Sequence, residues 1–86
     1  MIVGFSAEGW EDYCYWIEHD KKKLRRINKL IADILRNPDD EHGLGKPEKL
    51  KANLQGYYSR RIDAEHRLVY TIRDEMLIIV QCRYHY

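Results

Sequence analysis

The sequence predicts an α+β fold in the order β-α-α-β-β-β, and two observations predict it. Residues 57–62, 66–72 and 76–82 are three runs rich in β-branched and aromatic side chains, separated only by Asp63-Ala64-Glu65 and Arg73-Asp74-Glu75. That is the pattern of consecutive antiparallel strands. Upstream, two segments repeat their apolar residues at helical spacing, behind one short apolar run at the N-terminus.

Ile2, Val3 and Phe5 make that first strand. Ser6 then supplies a helix N-cap, with Glu8 and Glu11 in the first turns, where carboxylates interact favourably with the helix dipole. Trp10, Tyr13, Cys14 and Ile17 mark the apolar stripe of a first helix that closes near His19. Asp20 caps a second helix at once. Its stripe is Leu24, Ile27, Leu30, Ile31, Ile34 and Leu35, and Asn37-Pro38 ends it. Phe5, Trp10, Tyr13, Tyr15 and Trp16 are more aromatics than one stripe buries, so some are expected in a protein interface. Lys21, Lys22, Lys23, Arg25, Arg26 and Lys29 crowd the start of the second helix against its dipole. A solvated face and a phosphate-rich partner both accommodate them.

Residues 38–47, Pro-Asp-Asp-Glu-His-Gly-Leu-Gly-Lys-Pro, form an irregular loop. Glu48-Lys49-Leu50-Lys51 reads as a single helical turn, with Pro47 at its start and Leu50 inward. In the strands that follow, His66, Leu68, Tyr70 and Ile72 share the face expected against the helices, and Arg67, Val69 and Thr71 share the other. Residues 76–80 are apolar on both sides, as a central strand is. A loop at 63–65 sets Ile62 opposite His66 and Arg61 opposite Arg67. The turn at 73–75 takes two residues or three, which decides where His85 points, and either choice brings the tail beside Arg67.

The 86 residues make one domain, 1–86, with room for a single core. With 15 Lys and Arg against 14 Asp and Glu, the net charge of +1 excludes a generic DNA-coating protein. Any nucleic-acid contact must come from local clusters. No apolar run approaches the roughly 18 residues of a membrane span, and no signal pattern opens the chain, so a cytoplasmic location is expected. Cys14 and Cys82 lie far apart and read as small buried apolar groups. His19, His42, His66 and His85 are too scattered for a zinc set, and no carboxylate cluster suits magnesium, so no metal or cofactor is expected.

Glu48, Lys51, Arg61, Arg67, His85 and Tyr86 remain as polar residues without a structural duty. Two arginines facing each other across a ladder cost a few tenths to about 1 kcal/mol. A fold gains nothing from that arrangement, whereas a polyanion would. A carboxylate base, an imidazole acid and paired guanidiniums are the groups that cleave RNA without a metal. The base removes the ribose 2′-hydroxyl proton, the oxygen attacks phosphorus, and the acid protonates the leaving 5′-oxygen. Guanidiniums meet the phosphoryl oxygens where charge builds. Histidine is partly protonated near neutrality, which suits His85 to the acid role. Tyr84 or Tyr86 offers a ring on which a base can stack. Singly, each residue has a plainer reading: Glu48 as a surface acid, His85 as a frayed terminus, the arginines as solvated.

Beyond single residues, Gly45-Lys46-Pro47-Glu48, Leu50-Lys51, residues 58–62 (Tyr-Ser-Arg-Arg-Ile), residues 65–70 (Glu-His-Arg-Leu-Val-Tyr) and the ending Cys82-Arg83-Tyr84-His85-Tyr86 occur in one order. With Trp10-Glu11-Asp12-Tyr13 and Tyr15-Trp16, they resemble the Txe/YoeB family of bacterial toxins within the RelE-like superfamily, over essentially the whole chain. The resemblance implies a twisted antiparallel sheet with two N-terminal helices on one face. It implies a ribosome-dependent messenger RNA endonuclease, the toxin of a toxin–antitoxin pair. The family's general base then falls on Glu48, its phosphate-binding arginines on Arg61 and Arg67, and its general acid on His85, with Lys51 and Tyr86 in supporting positions. The implied partners are a cognate antitoxin that displaces the C-terminal tail, the ribosomal A site with its messenger RNA, a second copy of the chain, and operator DNA through the antitoxin complex. The alternative is a non-catalytic antitoxin-binding co-repressor, which would also use the aromatics of the first helix.

Overall fold

The computed structural model describes residues 1–85. Its elements are β1 (Ile2–Phe5), α1 (Ala7–His19), α2 (Lys21–Arg36), β2 (Glu48–Lys49), a 3-10 turn (Ala52–Leu54), β3 (Tyr58–Arg61), β4 (Arg67–Arg73) and β5 (Met76–Gln81). The five strands form one sheet in the order β1-β5-β4-β3-β2. The pairs β2–β3, β3–β4 and β4–β5 are antiparallel, while β1 runs parallel to β5. The sheet is therefore mixed rather than wholly antiparallel. Parallel neighbours need a long connection between them, which two helices and three strands supply here.

Both helices begin as their caps dictate. The Ser6 hydroxyl oxygen accepts from the Gly9 N–H at 3.0 Å, and Asp20 Oδ1 accepts from Lys22 and Lys23 N–H at 3.0 and 3.2 Å. Ile27, Leu30 and Ile34 of α2 are fully buried, in a cluster with Trp16, Ile62, Leu68, Tyr70, Leu77, Ile79 and Cys82. Each large apolar residue there contributes about 1.5–3 kcal/mol by leaving water. The stripe expected on α1 is displaced. Gly9 and Trp16 are its buried residues, whereas Trp10 is 53% exposed. Gly9 packs so closely on β5 that a Cβ there would collide with the Ile79 carbonyl, and this close approach turns α1 onto its Trp16 side.

The expected helical turn at 48–51 is instead a strand. Glu48 and Lys49 pair with Ser59 and Tyr58, and the Leu50 N–H continues the ladder to the Tyr57 carbonyl at 3.0 Å. The backbone donors find partners on β3, and the helical turn is postponed to Ala52–Leu54. Between β4 and β5, Arg73 pairs with Met76, so the turn holds two residues. Asp74 (φ 52°) and Glu75 (φ 59°) are both left-handed, as a type I′ hairpin requires. A bulge then breaks the β4–β5 register, pairing Val69 with Gln81 but Tyr70 with Ile79. The extra residue resets the alternation, so that Ile79 and Cys82, three apart, both enter the core. Among the described residues no helix is long and apolar enough to cross a membrane.

Candidate active site

Strand pairing decides which side chains share the face of the sheet away from the helices. Arg60, Leu68 and Tyr70 are buried toward the core, so their neighbours Ser59, Arg61, Arg67 and Val69 point the other way. Arg61 stands directly opposite Arg67, and Ser59 opposite Val69. Glu48 pairs with Ser59 from the far side and so lies on the same face, diagonal to Arg61. Such diagonal neighbours are separated by about 7–8 Å between Cα atoms. Ser59, Val69 and Thr71 are buried small residues that floor this face, and exposed Glu48 and Arg61 rise from it.

Arg67 is oriented by its own hairpin: Nη1 donates to the carbonyls of Asp63 at 2.8 Å and His66 at 3.1 Å. The hairpin is in turn closed by Asp63, whose Oδ1 accepts from Glu65 and His66 N–H at 2.8 and 2.6 Å and whose Oδ2 meets Lys23 Nζ at 2.9 Å. Burial pushes the Asp63 carboxyl upward, but Lys23 and the two backbone donors outweigh it and hold the group below the usual range.

The tail reaches this place because α1 and β4 grip its backbone at alternate residues. The Trp16 indole donates to the Cys82 carbonyl at 2.8 Å, and the Cys82 N–H donates to Asp12 at 3.0 Å. Two residues on, the Tyr84 carbonyl accepts from the Arg67 N–H at 3.0 Å, and the Tyr84 N–H donates to His66 Nδ1 at 2.7 Å. Arg83 lies between rings, its Cζ 3.5 Å from the Tyr15 centroid and 4.5 Å from that of Tyr84. Much of the aromatic surplus of α1 is thus spent on anchoring the C-terminus. Exposed His85 follows directly on Tyr84, whose carbonyl is bonded to the Arg67 N–H. Burial holds the Cys82 thiol up at about 12 and the Asp12 carboxyl above its ordinary value. Cys82 is therefore an inert core group.

A family model described as a YoeB-like toxin of bacterial type II toxin–antitoxin systems matches residues 5–86. The chain belongs to that family. A YoeB toxin from Streptomyces coelicolor is 58% identical over the whole of both chains. Among solved structures, the YoeB–YefM complex from Staphylococcus aureus matches with TM-score 0.90 and 51% identity, covering 100% of this chain and 98% of that one. The YoeB dimer from the same organism matches with TM-score 0.91 and 52% identity at the same coverage.

In this YoeB-like domain, strand pairing sets Glu48, Arg61 and Arg67 on one face of the sheet, and His85 follows the tail residue whose carbonyl is bonded to the Arg67 backbone. Lys51 is exposed just beyond β2, beside an open cleft lined with Lys49, Gln55 and Tyr57. Tyr84 is exposed and bound into the Arg83 stack, while Tyr86 lies outside the described residues. Among the described residues no group of three His, Cys, Asp or Glu is placed to hold a metal ion.

The sequence reading overlooked Arg60. Its guanidinium is fully buried, with Nη1 donating to Asp33 Oδ2 at 2.6 Å and to the Leu44 carbonyl at 3.1 Å, and Nε donating to the Tyr70 hydroxyl at 3.1 Å. Asp33 Oδ2 also accepts from the Leu44 N–H at 3.0 Å. One ion pair therefore clips the irregular loop to α2 and to β3. The Gly45 carbonyl, accepting from the Arg61 N–H at 2.7 Å, then leads the chain to Glu48. A signal for this was present: Asp33 falls among Leu30 and Ile34 on the apolar side of α2, and Arg60 alternates with Tyr58 and Ile62.

Proposed function

We propose that this YoeB-like toxin is an endoribonuclease that cuts messenger RNA on the ribosome. The observation that carries the proposal is the Arg61–Arg67 pair on a face shared with Glu48, with the His85-bearing tail bonded to Arg67. Glu48 takes the 2′-hydroxyl proton, the oxygen attacks the adjacent phosphorus, and His85 protonates the departing 5′-oxygen, leaving a 2′,3′-cyclic phosphate. Arg61 and Arg67 bind the phosphoryl oxygens as charge grows on them, which lowers the barrier more than it tightens substrate binding. Lys51 adds charge at the rim, and Tyr84 or Tyr86 stacks on a neighbouring base.

The site of action is the cytoplasm, at the ribosomal A site. Exposed Lys21, Lys22, Arg25 and Lys29 on α2 would meet ribosomal phosphates, so cutting should weaken as salt rises. A cognate antitoxin and a second copy of the chain are the protein partners. The YefM complex and the dimer formed by the Staphylococcus aureus relative support this, as does the exposed ring of Trp10. Operator DNA is reached only through the antitoxin complex. The competing reading is a non-catalytic co-repressor, and expression without the antitoxin separates the two. Growth arrest with cut messages supports the nuclease, and unimpaired growth overturns it.

A further inference from the structure

The bond between the Tyr84 N–H and His66 Nδ1 fixes the state of a second histidine. A backbone amide can only donate, so at 2.7 Å the Nδ1 atom must accept and carries no proton. His66 is therefore the neutral tautomer protonated at Nε2, and that nitrogen lies 3.6 Å from Glu65. The ring cannot readily turn away. It is 7% exposed, and its edge-to-face contact with Trp16 sets the centroids 4.8 Å apart at 78°. On the tail side, Tyr84 adopts φ 65°, a left-handed conformation that a tyrosine holds only when its surroundings impose it. Those surroundings are two consecutive residues, the last of the β3–β4 loop and the first of β4. His66 holds the Tyr84 N–H, and the Arg67 N–H holds the Tyr84 carbonyl.

We propose that His66 is a positioning residue for the reaction: its unprotonated Nδ1 locks Tyr84 in the left-handed bend that delivers His85 to the phosphate bound by Arg67. The inference rests on the nuclease reading above and adds a residue to it. His66 touches neither substrate nor reacting atoms and acts only through the backbone of the tail. A misplacement of His85 by about 1 Å costs on the order of 100-fold in rate.

The test compares His66→Leu, His66→Gln and His66→Asn in a messenger RNA cleavage assay on ribosomes, beside His85→Ala. Asparagine keeps an acceptor oxygen at the δ position, glutamine moves it one bond farther out, and leucine has none. Leucine and glutamine should lower kcat about 100-fold with KM for ribosomes unchanged, while asparagine stays within a few-fold of wild type. Thermal melts of each variant, and slow exchange of the Tyr84 amide in the unmodified protein, accompany the assay. A folded His66→Leu protein that cuts at the wild-type rate overturns the inference. A folded His66→Asn protein as weak as the leucine variant does so too, as does a Tyr84 amide that exchanges like an unstructured tail. Loss of cutting in His85→Ala alongside any of these leaves the nuclease reading standing, whereas full cutting by His85→Ala overturns both.

Discussion

Arg61 and Arg67 face each other across the β3–β4 ladder, two like charges where either hand of the pair could have been neutral. Their repulsion is an expense of a few tenths to about 1 kcal/mol in the free protein. Arg61→Ala should therefore melt at the same temperature as wild type or slightly above, while cleavage falls by about 100- to 1,000-fold, the typical effect of one lost transition-state donor. Arg61→Lys should not restore it, because an ammonium cannot match two phosphoryl oxygens at once. Calorimetry and cleavage rates on the same samples check the opposite signs.

The pair of fully buried Arg60 with partly exposed Asp33 should dominate stability. Removing one partner leaves the other charge uncompensated, and Asp33→Ala strands the fully buried guanidinium at a cost of about 3–5 kcal/mol. An Asp33→Leu, Arg60→Met double variant should recover most of that loss, since apolar groups of similar volume replace such pairs well. Urea unfolding of the single and double variants measures the difference.

Acid should unfold the protein through Asp33 and Asp63. The hydrogen bond from Arg60, then that from the Leu44 N–H, hold Asp33 below its ordinary value of 3.8, and Asp63 is likewise lowered. A group whose folded value lies below its unfolded one binds protons more readily when unfolded. Its stabilisation is complete above 3.8 and disappears as pH falls through the folded value. Asp12 has the opposite sign, because burial raises it, so its contribution is present below 3.8 and lost as pH climbs through its folded value. Melting curves against pH should show a shallower acid decline for Asp33→Asn. Asp12→Asn, which keeps an acceptor for the Cys82 N–H, should raise the melting temperature at pH 7 and lose that advantage below about pH 4.

The β4–β5 hairpin offers a stabilising change. Glu75 sits at φ 59° in a two-residue turn that favours glycine there. Its carbonyl bond from the Ile2 N–H does not depend on the side chain. Glu75→Gly should add about 1 kcal/mol, read as a higher urea midpoint with an unchanged slope.

Much of this architecture was legible because it is written in local chemistry. Ser6 and Asp20 announce their helices through their own hydrogen bonds, and the loop at 63–65 fixes Arg61 opposite Arg67 by counting alone. What escaped depends on distant partners. A strand of two residues such as β2 has no period to read, and the parallel seating of β1 on β5 is decided by packing. Arg60 has no role in the sequence reading, and its burial is tolerable only because Asp33, on another element, pairs with it. His66 was expected to face the helices and does contact Trp16, but its bond to Tyr84 needed the fold of the tail. Trp10 falls on the predicted stripe of α1 and Trp16 off it, yet Trp16 is the buried one, because Gly9 packs closely against β5.

Single-turnover cleavage of a ribosome-bound messenger by wild type, Glu48→Ala and His85→Ala tests the central claim most directly, with the new 3′ end identified chemically. Wild type should leave a 2′,3′-cyclic phosphate, and each variant should fall by about 100-fold or more while its melting temperature stays near that of wild type. Undiminished cutting by either folded variant, or a product with a free 3′-hydroxyl, would contradict the assignment of proton acceptor and donor.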